Sequence, residues 1–218
     1  ETQKRFASDA SHQLRTPITA LMLRLEGLRE SVNLDAKSTE RFDAIESELT
    51  RLNRLIDGLL ALGRSGADEV RPERVDASMV CQERVESWGS LADEAGITVT
   101  AEIDPGLTVV AVATAVEQIL DVYLDNALSV TPTGGTIKVS AKAEGSSVVI
   151  SIADEGPGMS DAEISRAFDR FWRGSSVYEG TGLGLAVAQQ LAEASDARAS
   201  LSRGPAGGIV ARVVFSRS

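Results

Sequence analysis

Apolar residues recur at Phe6, Ala10, Leu14, Ile18, Leu21, Leu25, Leu28 and Val32, in steps of four and three. Such steps keep one face of a helix apolar and predict a seam of coiled-coil type. Asn33, Asp35 and Ser38 suit a turn and a helix cap. A second stripe follows at Phe42, Ile45, Leu49, Leu52, Ile56 and Leu59, and Gly63 and Gly66 end it. Together the stripes predict a helical hairpin, which buries its apolar face on one side only. Packing on the chain's own second half would cover that face. The length and constant register of the seam favour a symmetric homodimer through residues 1–64, closing a four-helix bundle.

Residues 65–73 have linker composition, and the pattern then changes. Segments near 77–95, 114–130, 160–167 and 183–195 carry helical spacing. Segments near 97–103, 107–112, 136–143, 147–153, 197–203 and 209–216 alternate as strands do. Strands mixed with helices predict an α+β domain over 74–218, with helices on one face of a mixed sheet. The predicted architecture is therefore multidomain, an all-α helical hairpin followed by an α+β sandwich.

Composition narrows the function classes. The 218 residues hold 22 basic and 32 acidic side chains, a formal charge of −10. A nucleic-acid binder normally carries a basic face, so no nucleic-acid partner is expected. With one cysteine, Cys81, there is no internal disulfide and no cysteine-built zinc site. Cys81 fits a small buried apolar position on a helix. No run reaches the ~18 consecutive apolar residues of a membrane-spanning helix. Glu1-Thr2-Gln3-Lys4-Arg5 is no signal peptide and has the character of a helix already under way. Any sensor or membrane segments are expected upstream.

The chemistry-bearing residues are few. His12 is the only histidine and lies off the seam, so its imidazole should face water, as a phosphoryl acceptor requires; taken alone the segment equally fits a surface histidine with no role. Pro17, inside the same helical pattern, costs ~3 kcal/mol or more and bends the helix; the bend either is merely tolerated or helps a second domain reach His12. Asn126 sits in a helix-like stretch, and its amide oxygen suits Mg²⁺, a hard cation that keeps several waters. Asp154-Glu155-Gly156-Pro157-Gly158 follows an apolar alternation. A carboxylate at a strand end can accept from the exocyclic amine of adenine, and glycines let the backbone turn and approach a base. Such a run is also an ordinary strand-to-helix turn. Gly180-Thr181-Gly182-Leu183-Gly184-Leu185 opens an Ala-rich helix, whose N–H groups and dipole favour phosphate. It lacks both the ending of a P-loop and the spacing of a dinucleotide fold. The small and polar run from Trp172 to Glu179 fits a short lid, with Phe168, Phe171 and Trp172 expected to anchor it on the core.

In this order, the His12 segment, Asp125-Asn126-Ala127, Asp154-x-Gly156-x-Gly158, Phe168-Asp169-Arg170-Phe171 and Gly180-x-Gly182-Leu183-Gly184 resemble the catalytic core of a two-component sensor histidine kinase. The resemblance covers nearly the whole chain. It implies a dimerisation and phosphotransfer hairpin followed by a Bergerat-type ATP-binding domain. It implies autophosphorylation of His12 by ATP and Mg²⁺, with Asn126 on the metal, and transfer to an aspartate of a response regulator receiver domain. Nucleotide contacts are expected from Asn126, Asp154, Gly156, Gly158, Arg170, Arg173, Gly180, Thr181, Gly182, Leu183 and Gly184. The implied location is the cytoplasmic portion of a membrane sensor kinase.

Several positions depart from the family pattern. Gln13 replaces the acidic residue that many relatives have after the histidine; it can hydrogen-bond but has no useful basicity. Thr16, one turn from His12, occupies a position that in similar kinases supports removal of phosphate from the partner. Val122 stands where a second asparagine is frequent, with Asp121 or Asp125 as candidate substitutes. Ser129 stands where a basic residue is frequent, leaving phosphate contact to Arg170 or Arg173. Two other classes remain open: an ATPase using water as acceptor, and a non-catalytic dimerisation and docking module.

Overall fold

The computed structural model describes residues 28, 42, 45, 72–172, 182–205 and 207–217. The chain divides into two compact units, Glu1–Asp68 and Glu69–Ser218. In the first unit, the described seam residues Leu28, Phe42 and Ile45 are all helical. The remaining expectations for the hairpin, including His12, Gln13 and Thr16, lie outside the described residues.

The second unit is a layer of helices on a sheet. Its elements run β1 (Glu73–Asp76), α1 (Ala77–Glu94), β2 (Thr98–Ile103), β3 (Thr108–Ala111), α2 (Ala115–Val130), β4 (Thr136–Glu144), β5 (Ser147–Ala153), α3 (Asp161–Arg166), α4 (Gly184–Ala194), β6 (Arg198–Arg203) and β7 (Ile209–Ser216). The main sheet has the order β2-β4-β5-β7-β6. Its β2–β4 pair is parallel and the others are antiparallel, so it is a mixed sheet. Strands β1 and β3 form a separate antiparallel pair.

Alternation explains why one face of the sheet is covered. Ile137, Val139 and Ala141 of β4, Val148, Ile150 and Ile152 of β5, and Ala211, Val213 and Phe215 of β7 are all buried. Their neighbours Lys138, Ser140, Lys142, Ser151 and Arg212 occupy the opposite face. On that face Glu102 accepts from Lys138 and from Lys142, which holds its carboxyl down at about 2. Over the apolar face, α2 buries Ala115, Val116, Ile119, Leu120, Tyr123, Leu124 and Ala127. This spacing is that of one helix face. The buried Tyr123 hydroxyl donates to Arg212 O at 3.4 Å, tying α2 to β7, and burial pushes its pKa up.

Short polar contacts set the helix ends. Asp76 caps α1 by accepting from Met79 N at 3.0 Å. Two residues later the buried Ser78 hydroxyl accepts from Leu107 N and donates to Asp104 O, each at 2.8 Å, pinning the start of α1 to the β2–β3 connection. Ser160 and Glu163 form a reciprocal capping box at the start of α3. Cys81 is fully buried, and desolvation pushes its thiol up to about 12.

Candidate functional site

The site is assembled from three places in the sequence, which the fold brings to one edge of the α2 helix. Seven residues of α2 face the core, which turns Val122, Asn126 and Ser129 outward in a row of the i, i+4, i+7 kind. Val122 is half-buried, whereas Asn126 and Ser129 are exposed. Two glycines border this row. A Cβ added at Gly184 would lie 3.3 Å from Val122 Cγ1, and one at Gly156 would lie 2.7 Å from Val130 Cγ2. The outward face of α2 that carries Asn126 is thus flanked by the Asp154 loop near its C-terminal end and by the start of α4 near its middle. About 12 Å of helix separates Val122 from Val130.

Asp154 follows directly on β5, and its backbone N–H donates to Ile209 O at 3.0 Å. Its Oδ1 accepts from Gly156 N at 2.8 Å and from Ile209 N at 3.2 Å. No partner for Oδ2 is found among the described residues. Burial raises the pKa of this carboxyl, and the two N–H donors pull in the opposite direction. The neighbouring Glu155 turns away and accepts from Thr136 N at 2.9 Å. Gly158 has φ +72°, and a Cβ there would meet Gly207 O at 2.3 Å, so only glycine fits.

The second part is the entry to α4. Gly182 has φ +66°, and a Cβ there would fall 2.7 Å from both Phe171 C and Trp172 O. Phe171 itself has φ +64° and donates from its N–H to Gly182 O at 2.8 Å. Leu183 is buried, so its side chain anchors the segment. The first turn of α4 then opens at Gly184, and Leu183 before it makes no side-chain cap bond. Uncapped N–H groups at a helix start are suited to an anion.

Asn126, Asp154, Gly156, Gly158, Gly182, Leu183 and Gly184 are therefore described and belong to one region. Arg170 is exposed on the segment between α3 and Phe171, with no ion-pair partner among the described residues. Arg173, Gly180 and Thr181 lie outside the described residues. The expectation that all three aromatics anchor the lid needs correction: Phe171 is 70% exposed, while Phe168 and Trp172 are half-buried. Phe171 contributes its backbone to the Gly182 contact, and its ring stays in water.

The structure also explains the departures on α2. Asp121 accepts from Trp88 Nε1 at 2.8 Å and pairs with Arg84 at 3.6 Å. It is thus committed to α1 and does not replace the missing asparagine. Val122 fills the space against Gly184. The Ser129 hydroxyl donates to Asn126 O at 2.8 Å and is spent on its own helix.

One residue of this region was not legible beforehand. A Cβ on Gly208 would lie 2.0 Å from Asp154 O and 2.4 Å from Oδ1. The run Gly204-Pro205-Ala206-Gly207-Gly208 signals a turn, but only the β5–β7 pairing reveals what the turn presses against. A shallow cavity of about 450 Å³ lined by Ser147, Glu193, Arg198 and Ser216 lies at the opposite end of β5 from Asp154, and takes no part.

Comparison with known proteins gives the family. Residues 2–68 match the His Kinase A (phospho-acceptor) domain, and residues 111–217 match the Histidine kinase-, DNA gyrase B-, and HSP90-like ATPase family. The chain is 27% identical over 215 residues to the signal transduction histidine-protein kinase BaeS of Escherichia coli, covering 96% of this chain and 46% of that protein. It is 33% identical over 193 residues to the sensor histidine kinase MtrB of Mycolicibacterium paratuberculosis, covering 85% and 34%. The chain thus spans less than half the length of these relatives. Among solved structures, full-length ShkA in complex with AMPPNP superposes with a TM-score of 0.75 at 25% identity, over 98% of this chain and 46% of that one. The histidine kinase AdeS of Acinetobacter baumannii shares the fold with a TM-score of 0.64 at 23% identity, over 94% and 97%. A phospho-acceptor domain followed by an ATP-binding domain places this chain in the two-component histidine kinase family as its catalytic core.

Proposed function

We propose that this chain binds ATP at the α2 edge, phosphorylates its own His12 and passes the phosphoryl group to an aspartate of a response regulator receiver domain. The observation that carries the reading is the order of the two matched segments, with Asp154 held at the edge of the second. Adenine is recognised by Asp154, whose Oδ2 accepts from the exocyclic amine. The phosphates are taken by the start of α4, with Arg170 or Arg173 as the candidate basic contact. A ring nitrogen of His12 attacks the γ-phosphorus, the bond to the β–γ bridging oxygen breaks, and ADP leaves. Catalysis of such a transfer is chiefly positioning and charge neutralisation. Gln13 holds the imidazole by a hydrogen bond, without the general-base help typically worth ~10²–10⁴-fold. Thr16 supports the reverse function, removal of phosphate from the regulator.

Mg²⁺ fits the donors present. Asn126 offers an exposed amide oxygen on the pocket face of α2, and no group of three or more His, Cys, Asp or Glu side chains forms a cage among the described residues. Such a sparse set suits a hard cation held mainly by phosphate and water, and it would neutralise phosphate charge there.

The protomer is read as a homodimer through residues 1–64. Leu28 and Ile45, both on the predicted seam, are 52% and 48% exposed in the single chain, so a second copy has apolar surface to cover. The chain is read as the cytoplasmic part of a membrane-anchored sensor. No helix of the described residues is long and apolar enough to cross a membrane.

The reading as a water-using ATPase is disfavoured by the α2 face. Relatives of that kind place a carboxylate at the position of Val122, whereas Val122 is packed on Gly184 and Asp121 is tied to Trp88. The test is labelling with γ-labelled ATP. Acid-labile label on the wild type, none on His12→Gln and unchanged ATP binding by both are expected. Stable label on His12→Gln, or free phosphate as the sole product, would overturn the reading.

A further inference from the structure

The connection from β6 to β7 lies behind the Asp154 loop and touches it at several separate points. Two bonds join them: Asp154 N–H donates to Ile209 O at 3.0 Å, and Ile209 N–H donates to the carboxylate Oδ1 of Asp154 at 3.2 Å. Gly208 comes so close that a Cβ would sit 2.0 Å from Asp154 O. Gly207 O occupies the space that a Cβ of Gly158 would need, at 2.3 Å. At the base of the connection, Arg203 Nε donates to Met159 O at 3.2 Å, and the Arg203 guanidinium pairs with Asp161 at 3.0 Å. The connection is itself closed by Gly204 N to Gly208 O at 2.7 Å and Gly207 N to Gly204 O at 3.1 Å.

These contacts have an asymmetric result. They occupy Oδ1 of Asp154 with two N–H donors, one from its own loop and one from β7. A carboxylate gripped through one oxygen keeps the other fixed relative to the sheet. A hydrogen bond to a base is strong only over a narrow range of distance and angle. Fixing the acceptor before the ligand arrives also removes part of the ordering cost of binding.

We propose that Gly208 is a positioning residue for base recognition: its bare Cα lets the β6–β7 connection back onto Asp154, so that Ile209 N–H grips Oδ1 and Oδ2 is presented to adenine. The proposal rests on the nucleotide reading above and extends it to residues that touch no ligand. Gly208→Ala pushes the connection away from Asp154, and Ile209→Pro deletes the gripping donor and sets its ring Cδ where that N–H pointed, against Oδ1. Proline is tolerated at the first residue of a strand, and Ile209 begins β7.

The test is titration of the full chain with ATP and with GTP, together with thermal melting of each variant. Adenine presents an amine donor where guanine presents a carbonyl, so only ATP gains from Asp154. Both Gly208→Ala and Ile209→Pro are expected to bind ATP about tenfold more weakly, the usual loss for a bond to a charged group, with GTP affinity unchanged. The ATP-to-GTP preference therefore falls by the same factor, which mere destabilisation would not produce. Gly106→Ala is the control. Its φ of +69° strains an alanine, but its added Cβ meets nothing, and it lies at the far end of the sheet; it should retain the preference. Should Gly208→Ala fail to fold, Ile209→Pro decides alone. Wild-type preference in these variants, with preference lost in Asp154→Ala, would overturn the proposal and leave the nucleotide reading standing. Wild-type ATP binding by Asp154→Ala would overturn both.

Discussion

Asp154 serves two opposed requirements with one carboxyl. Its partial burial penalises the charged form, and burial outweighs the two N–H donors, so its pKa is raised. Recognition of the adenine amine needs that charged form. The linkage follows from the direction of the shift. The folded-state value lies above the unfolded one, so the stability this group contributes is complete below the unfolded value. It is lost as pH rises through the folded value. Nucleotide affinity runs the other way and should fall as pH is lowered through that same raised value. Asp154→Asn separates the two effects. The amide oxygen still accepts from Gly156 and Ile209, no charge is buried, and the amide nitrogen now faces the adenine amine as donor against donor. The variant should melt at or above the wild-type temperature while losing at least ~1.5 kcal/mol of ATP binding. Its residual affinity should be flat with pH. Calorimetric titration across the acid range checks this; a wild-type pH dependence in Asp154→Asn would show that another group titrates.

At the scale of elements, the junction of α1 and α2 shows what a sequence reveals and what it hides. Among the described residues of the second unit, the four helices and six of the seven strands were legible because their apolar positions keep a period of 3.6 or 2. Strand β1 was not. Glu73-Arg74-Val75-Asp76 holds one apolar residue in four and exists because it pairs with β3, a partner more than thirty positions away. The same blindness to long-range contact hid Gly208 and left Asp121 open as a substitute ligand. In the fold, Asp121 joins α2 to α1 through Trp88 and Arg84. Asp121→Ala should therefore cost about 1 kcal/mol of stability, since the site is partly exposed and only the Trp88 bond is well formed. It should leave ATP affinity unchanged. Melting and titration of the same sample check this, and an affinity loss without a change in melting temperature would return Asp121 to the binding site.

At the scale of the molecule, the two units differ in how they complete their apolar surfaces. Within the second unit, the described core is closed: the inner faces of β4, β5 and β7 and the apolar sides of α2 and α4 bury one another. A domain with its own core is expected to fold alone. The fragment 69–218 should thus be a folded monomer that binds ATP as tightly as the whole chain. The sequence of the first unit carries two long apolar stripes, and its described seam residues Leu28 and Ile45 are half exposed in one copy. Its stability is then tied to association, and so to concentration. The fragment 1–64 should be helical and dimeric at micromolar concentration, and its helicity should fall on dilution. Replacing Leu28 and Ile45 together by Asp should give an unfolded monomer, because a charge in a seam lacks a partner. Sedimentation equilibrium with circular dichroism over a dilution series measures both quantities. A folded, monomeric 1–64 would mean that the stripes are satisfied within one hairpin, and the symmetric bundle would then be wrong. A dimer whose helicity survives dilution together with the Asp pair would place the contact elsewhere on the helices.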